Sequence, residues 1–141
     1  MAISEFIDEF DFLSNFYPAE TMYDGIVYPT SEHAFAAAKS LDLSERNKIR
    51  QEATPGRAKR LGRKIELRKD WEDVKVRIMK QLILDKFTRN SDLMIRLLET
   101  KNEELIEGNT WNDKFWGVCD GEGQNYLGII LMEIRTILSF S

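Results

Sequence analysis

Pro29 and the alanine-rich segment behind it constrain the fold more than any other feature of this sequence. The segment reads Tyr28-Pro29-Thr30-Ser31-Glu32-His33-Ala34-Phe35-Ala36-Ala37-Ala38-Lys39. The proline ring crowds the residue before it and disfavours helix at Val27-Tyr28. After it come good helix formers, with Thr30 or Ser31 placed to cap the first turn. At about 100° per residue, positions seven apart fall nearly on one line along a helix. Glu32 and Lys39 are seven apart, and Phe35 and Ala36 lie between them on the same face. A carboxylate and an amine on a helix otherwise made of Ala and Phe predict a reactive face turned to a pocket. The chain's single histidine, His33, sits about 100° off that line and is expected to be structural.

The chain of 141 residues is expected to form one domain, residues 1–141, with a core of its own. Its 43% hydrophobic and 31% charged residues fit a folded soluble chain and not a disordered one. The net charge of −4 argues against broad binding to a nucleic-acid backbone, while leaving room for recognition of one modified nucleotide. One cysteine, Cys119, excludes an internal disulfide, and with one histidine it leaves a closed zinc site short of ligands. Neither a metal nor a cofactor is expected. The N-terminus has no basic-then-apolar signal pattern and charges recur too often for a spanning helix, so a cytoplasmic protein without membrane association is expected.

Upstream of the organising helix, Ala2 to Ile7 alternates as an edge strand would. Phe10 to Pro18 holds four aromatic residues in nine. It reads either as a loop tacked to the core by its rings, or as a loop that offers the Asn15 amide to a pocket. Met22 to Tyr28 around Asp24-Gly25 predicts a hairpin, because Asp-Gly tolerates the positive φ of a tight turn. Downstream, Leu43 to Ala53 predicts a helix capped by Ser44. Thr54-Pro55 restarts the chain as cap and first helical residue. Arg57, Lys59, Arg60, Arg63, Lys64, Arg68 and Lys69 follow within thirteen residues. Such a run is either a solvated face or a phosphate clamp, since guanidinium groups match phosphate oxygens in pairs.

Asp70 to Arg89 predicts the longest helix, capped by Asp70, with Trp71 as a core residue of its first turn. A shorter helix over 93–99 and a strand over 105–107 follow. The segment from Asn109 to Gly117 then gathers Trp111, Asp113, Phe115 and Trp116. Its rings either close the core or put Trp116 against a flat ligand ring, leaving Asp113 in the pocket. Asn125 is expected to cap a last helix from Tyr126 to Phe140. Gly128 in its first turn admits close packing or a phosphate near the helix N-terminus.

Taken in order, these segments resemble one family. Phe12 to Pro18, Tyr28 to Phe35 with Lys39, Thr54 to Arg63, Trp71 to Met79, Trp111-Asn112-Asp113 with Trp116-Gly117, and Asn125 with Leu127-Gly128 are together similar to the NADAR (YbiA-like) family. The resemblance runs from about Phe10 to Arg135. It implies a mainly helical α+β single domain with a few short strands. It also implies an N-glycosidase that hydrolyses a ribosyl C1′–N bond in a phosphoribosyl or ADP-ribosyl substrate. Family members act on aminopyrimidine intermediates of riboflavin biosynthesis, or on ADP-ribosylated guanine, which would make a modified nucleic acid a partner. Carried over by position, Glu32, Lys39 and Asp113 would be catalytic. Asn15, Arg63, Trp116 and Gly128 would bind substrate. One departure is the run Phe35-Ala36-Ala37-Ala38, where members often carry Gln after the aromatic residue.

The chemistry of the residues agrees with that reading. Cleaving a ribosyl C1′–N bond requires stabilising positive charge at C1′ and protonating the departing nitrogen, which a carboxylate pair can do. A desolvated lysine such as Lys39 could act electrostatically or through a Schiff base with an opened ribose. A non-catalytic module that binds ADP-ribose or another NAD-derived ligand is the alternative, and its mark would be loss of the Glu, Lys or Asp.

Overall fold

The computed structural model describes residues 2–140. The fold is α+β, mainly helical, with four short strands named among the described residues. Two compact units are formed, residues 15–90 and residues 2–14 with 91–140.

The 15–90 unit is built around α1, Ser31–Ala38. Strands β2, Thr21–Tyr23, and β3, Ile26–Tyr28, precede it as an antiparallel hairpin. Asp24 and Gly25 turn the hairpin with φ of 53° and 80°, the left-handed pair a tight turn demands. The α1 cap is Thr30, whose Oγ1 accepts from the His33 amide at 3.0 Å. Helices α2 (Leu43–Arg50), α3 (Pro55–Gly62) and α4 (Trp71–Arg89) all pack on α1. Small side chains make this crowding feasible, since Ala34, Ala36, Ala37 and Ala38 are fully buried. Gly62 is the matching concession from α3, because a Cβ there would lie only 3.0 Å from that of Ala36. The Arg68 amide then ties the chain after α3 to the Lys39 carbonyl at 2.7 Å.

Two caps in this unit differ from expectation. Helix α2 is capped by Asp42 and not Ser44, its Oδ1 accepting from the Ser44 and Glu45 amides at 2.8 and 3.3 Å. Asp70 occupies the cap position of α4 but makes no capping bond. Its carboxylate is instead held by the Arg68 guanidinium, at 2.7 Å from Nε and 3.2 Å from Nη2.

In the other unit, β1 (Ala2–Ile3) runs parallel to β4 (Glu104–Leu105), so the expected edge strand is confined to two residues. A 3-10 helix, Asp8–Leu13, replaces part of the expected aromatic loop and buries Phe12 and Leu13. Helices α5 (Ser91–Glu99) and α6 (Tyr126–Ser139) pack together. Beyond β4 the chain bridges to Val118, whose amide donates to Glu107 and whose carbonyl accepts from Asn109, each at 2.9 Å. Asn125 does not cap α6 through its side chain. Its φ is 55°, and its amide accepts from the Glu107 N–H at 2.9 Å and donates to the Leu105 carbonyl at 3.0 Å. No helix among the described residues is long and apolar enough to cross a membrane.

Candidate active site

From Ser31 to Ser40 every side chain is buried except two, Glu32 and Lys39, which are half-buried. The helix therefore hides all but the pair that its spacing aligns. Lys39 is the C-cap residue of α1, and its Nζ lies 6.0 Å from the centre of the Phe35 ring. Phe35 in turn packs on Trp71 with ring centres 5.0 Å apart, so Trp71 is core, as expected. Burial holds the Lys39 amine below the ordinary lysine value, opposed by Glu32 and reinforced by Arg63, Lys59 and Lys75. A lysine in this state yields more neutral amine near neutral pH than an exposed one.

Asn15 is buried, and its side chain is engaged with protein at both ends. Its Oδ1 accepts from the Ser31 hydroxyl at 2.8 Å, and its Nδ2 points to the Met79 sulfur at 3.5 Å. Its backbone carbonyl accepts from the Glu32 amide at 3.1 Å. Asn15 thus fixes the first turn of α1, where the sequence suggested an amide offered to a ligand. His33 is structural. Its Nε2 donates to the Glu52 carbonyl at 3.0 Å, since a carbonyl can only accept, which leaves Nδ1 to accept from the Thr30 hydroxyl at 2.8 Å.

The basic run divides by role. Arg68 is taken by Asp70, as above, while Arg57, Arg60 and Arg63 are exposed. Arg63 is the C-cap of α3, and it and the half-buried Lys59 are the members of the run whose charges bear on Lys39. Lys75 belongs to the same group and was missed in the sequence. Its signal was Trp71, whose contact with Phe35 lays the first turns of α4 along α1.

Asp113, Trp116 and Gly128 lie in the second unit. Asp113 Oδ1 accepts from the Phe115 and Trp116 amides at 3.1 and 2.9 Å, so this carboxylate shapes the loop that carries Trp116. Asn109, also unanticipated, clamps the same loop: its Oδ1 accepts from the Asp113 amide at 3.0 Å and its Nδ2 donates to the Asp113 carbonyl at 2.9 Å. Trp116 is half-buried, edge-on to Phe115 at 4.8 Å, and Phe115 lies 4.6 Å from Tyr126. Trp111 is 61% exposed and closes no core. Gly128 is buried, and a Cβ there would collide with the Leu105 carbonyl oxygen and the Asn125 side chain. Close packing accounts for it.

Comparison with known proteins bears on the family of the chain. The model of the NADAR domain matches residues 4–139. The chain is 41% identical over 135 residues to the N-glycosidase YbiA of Escherichia coli strain K12, covering 94% of this chain and 84% of that protein. An N-glycosidase of Nostoc punctiforme is 38% identical over 138 residues, covering 91% and 88%. A riboflavin biosynthesis protein of Vibrio vulnificus is 39% identical over 127 residues, which is 88% of this chain but 34% of that longer protein. The NMR structure of E. coli YbiA superimposes with a TM-score of 0.86 at 38% identity, covering 99% of this chain and 84% of that one. A family match over nearly the whole chain, with the same fold in a solved relative, establishes that the chain belongs to the NADAR family.

Proposed function

We propose that this chain is an N-glycosidase that hydrolyses the C1′–N bond of a ribosyl-phosphate or ADP-ribosyl substrate, with Glu32 and Lys39 at the reacting centre. The observation that carries this reading is the pairing of Glu32 and Lys39 as the two side chains between 31 and 40 that are not buried, with the amine lowered by its surroundings. The names of the relatives, N-glycosidase and riboflavin biosynthesis protein, support the reaction class and a small-molecule substrate.

Glu32 protonates the departing nitrogen as the C1′–N bond breaks and its electron pair leaves with the base. Positive charge at C1′ is shared with the ring oxygen. The neutral Lys39 amine adds to C1′ and returns a proton to the Glu32 carboxylate. One water then adds to C1′, releasing the free ribosyl product and restoring the amine. Arg63 and Lys59 supply positive charge for the substrate phosphate. A cytoplasmic enzyme free of metal and cofactor completes the reading.

The test is to incubate purified protein separately with the phosphoribosylaminopyrimidine intermediate of riboflavin biosynthesis and with ADP-ribosylated guanosine, and to follow released base by chromatography. Release from either supports the reaction and identifies the substrate branch. Release from neither contradicts it.

A further inference from the structure

Helix α1 ends at Lys39, and that end is held more firmly than a helix end requires. The last carbonyls of a helix have no partner within it and are ordinarily left to water. Here the carbonyls of Ala38, Lys39 and Ser40 are all taken by two arginines. The Lys39 carbonyl accepts from the Arg68 amide at 2.7 Å, and the Ala38 carbonyl makes a longer contact of 3.5 Å with Arg68 Nη1. The Ser40 carbonyl accepts from Arg46 Nε at 2.7 Å.

Both arginines are anchored on their other side. Arg46 is buried, and its Nη1 donates to the Asp24 carboxylate at 2.9 Å. Arg68 forks onto Asp70, with Nε at 2.7 Å and Nη2 at 3.2 Å. Tyr23 joins the two. The Arg46 guanidinium lies 5.1 Å from the centre of its ring, and its hydroxyl accepts from Arg68 Nη1 at 3.4 Å. The turn of the β2–β3 hairpin is thereby linked to the end of α1. Lys39 needs such a hold, because helices fray at their caps and a lysine has a long, flexible stem. Fraying here would lift the amine into water.

We propose that Arg46 and Arg68 are positioning residues for Lys39, a clasp between the hairpin and the end of α1 that keeps the Lys39 amine beside the Phe35 ring and within reach of the substrate. The proposal rests on the reading of Lys39 as part of the reacting centre. The arginines act through the backbone at 38–40 and do not touch the substrate. The planar fork matters as well as the charge, since Arg68 meets Asp70, Tyr23 and Ala38 together, which an ammonium cannot do.

Arg68→Lys and Tyr23→Phe test it, with Arg89→Lys as control. Arg89 forks onto Asp85 in the same way at the far end of α4. Arg68→Lys keeps the charge and loses the fork. It should lower kcat for base release about tenfold, because small displacements of a reacting group are costly in rate. KM should change less than about twofold, since no substrate contact is removed. Tyr23→Phe keeps the ring beside Arg46, removes one hydroxyl, and should lower kcat less. Arg89→Lys should change neither constant. NMR titration of the Lys39 methylene needs no turnover. In Arg68→Lys it should move up toward the ordinary lysine value, because burial is what most lowers the amine in the wild type. The proposal is overturned if Arg68→Lys, folded by circular dichroism, keeps the wild-type kcat, if KM rises in its place, or if Arg89→Lys loses as much. Should Arg68→Lys not fold, unchanged kcat and an unmoved Lys39 titration in Tyr23→Phe overturn it. Absence of base release from wild type would contradict the N-glycosidase reading. The titration then decides the clasp by itself, and an unmoved Lys39 in Arg68→Lys overturns it.

Discussion

The carbonyl oxygen of Asn15 accepts the backbone N–H of Glu32 at 3.1 Å, while the Asn15 side chain secures the Ser31 hydroxyl one residue earlier. A buried amide therefore sets where the Glu32 side chain begins. Asn15→Ala should lower kcat at least tenfold with KM changed less than twofold, because the variant loosens Glu32 and removes no ligand contact. It should also cost about 1 kcal/mol of stability, since the buried Ser31 hydroxyl loses its 2.8 Å bond and keeps only the longer one, 3.4 Å, to the Asn15 backbone carbonyl. Steady-state kinetics check the split. A raised KM at constant kcat would show the amide touching substrate instead.

The Lys39 amine offers a pH test with a definite sign. Its pKa is below the ordinary lysine value, lowered by burial and by Arg63, Lys59 and Lys75, and raised by Glu32. Replacing Arg63 with Gln should move the Lys39 titration to higher pH, and replacing Glu32 with Gln should move it to lower pH. NMR of the labelled lysine methylene reads both. Shifts of the same sign in the two variants would refute this electrostatic arrangement. The linked effect on stability follows. With the folded pKa depressed, the folded state binds fewer protons, so the Lys39 penalty is full at low pH. It fades as pH rises through the folded value toward the unfolded one.

The cap of α2 makes a third prediction, in stability alone. Asp42→Ala should lower Tm at pH 7, and Ser44→Ala should lower it less, because Asp42 accepts both first-turn amides while Ser44 adds only its side chain to the same carboxylate. Those bonds hold the Asp42 carboxyl below its usual range. Its contribution is therefore present above the unfolded pKa and is lost as pH falls through the lower folded one. Thermal melts at neutral pH and in strong acid read the difference. Equal Tm losses from the two substitutions at pH 7 would contradict it.

Asp113 clamps its loop, and substitution separates that role from the catalytic one the family resemblance implies. Asp113→Asn keeps an acceptor for the Phe115 and Trp116 amides, so it should retain stability while losing turnover if the charge takes part in chemistry. Asp113→Ala should lose turnover and also roughly 1–3 kcal/mol of stability through the two orphaned amides. Full activity in Asp113→Asn would reduce the residue to a loop clamp.

Much of the fold was legible because local rules met no opposition. Pro29, Thr30 and the alanines wrote α1, Asp24-Gly25 wrote the hairpin turn, and Thr54-Pro55 wrote the start of α3. Periodicity also aligned Glu32 with Lys39. What remained hidden depended on partners distant in the chain. Asp70 looked like a cap until Arg68 claimed its carboxylate, and Asn125 looked like one until β4 engaged its amide. The same holds for Asn15, whose amide is satisfied by Ser31 and Met79, 16 and 64 residues away. Polar residues are the hardest to assign from sequence, because a side chain that could bind a ligand could equally close an internal bond.

The account stands most directly on base release by Lys39→Ala. Wild type, Lys39→Ala and Glu32→Gln would be compared at matched concentration, with folding checked by circular dichroism and released base quantified by chromatography. The account predicts that both variants stay folded and lose at least a hundredfold in turnover. Near-wild-type release by folded Lys39→Ala would contradict it.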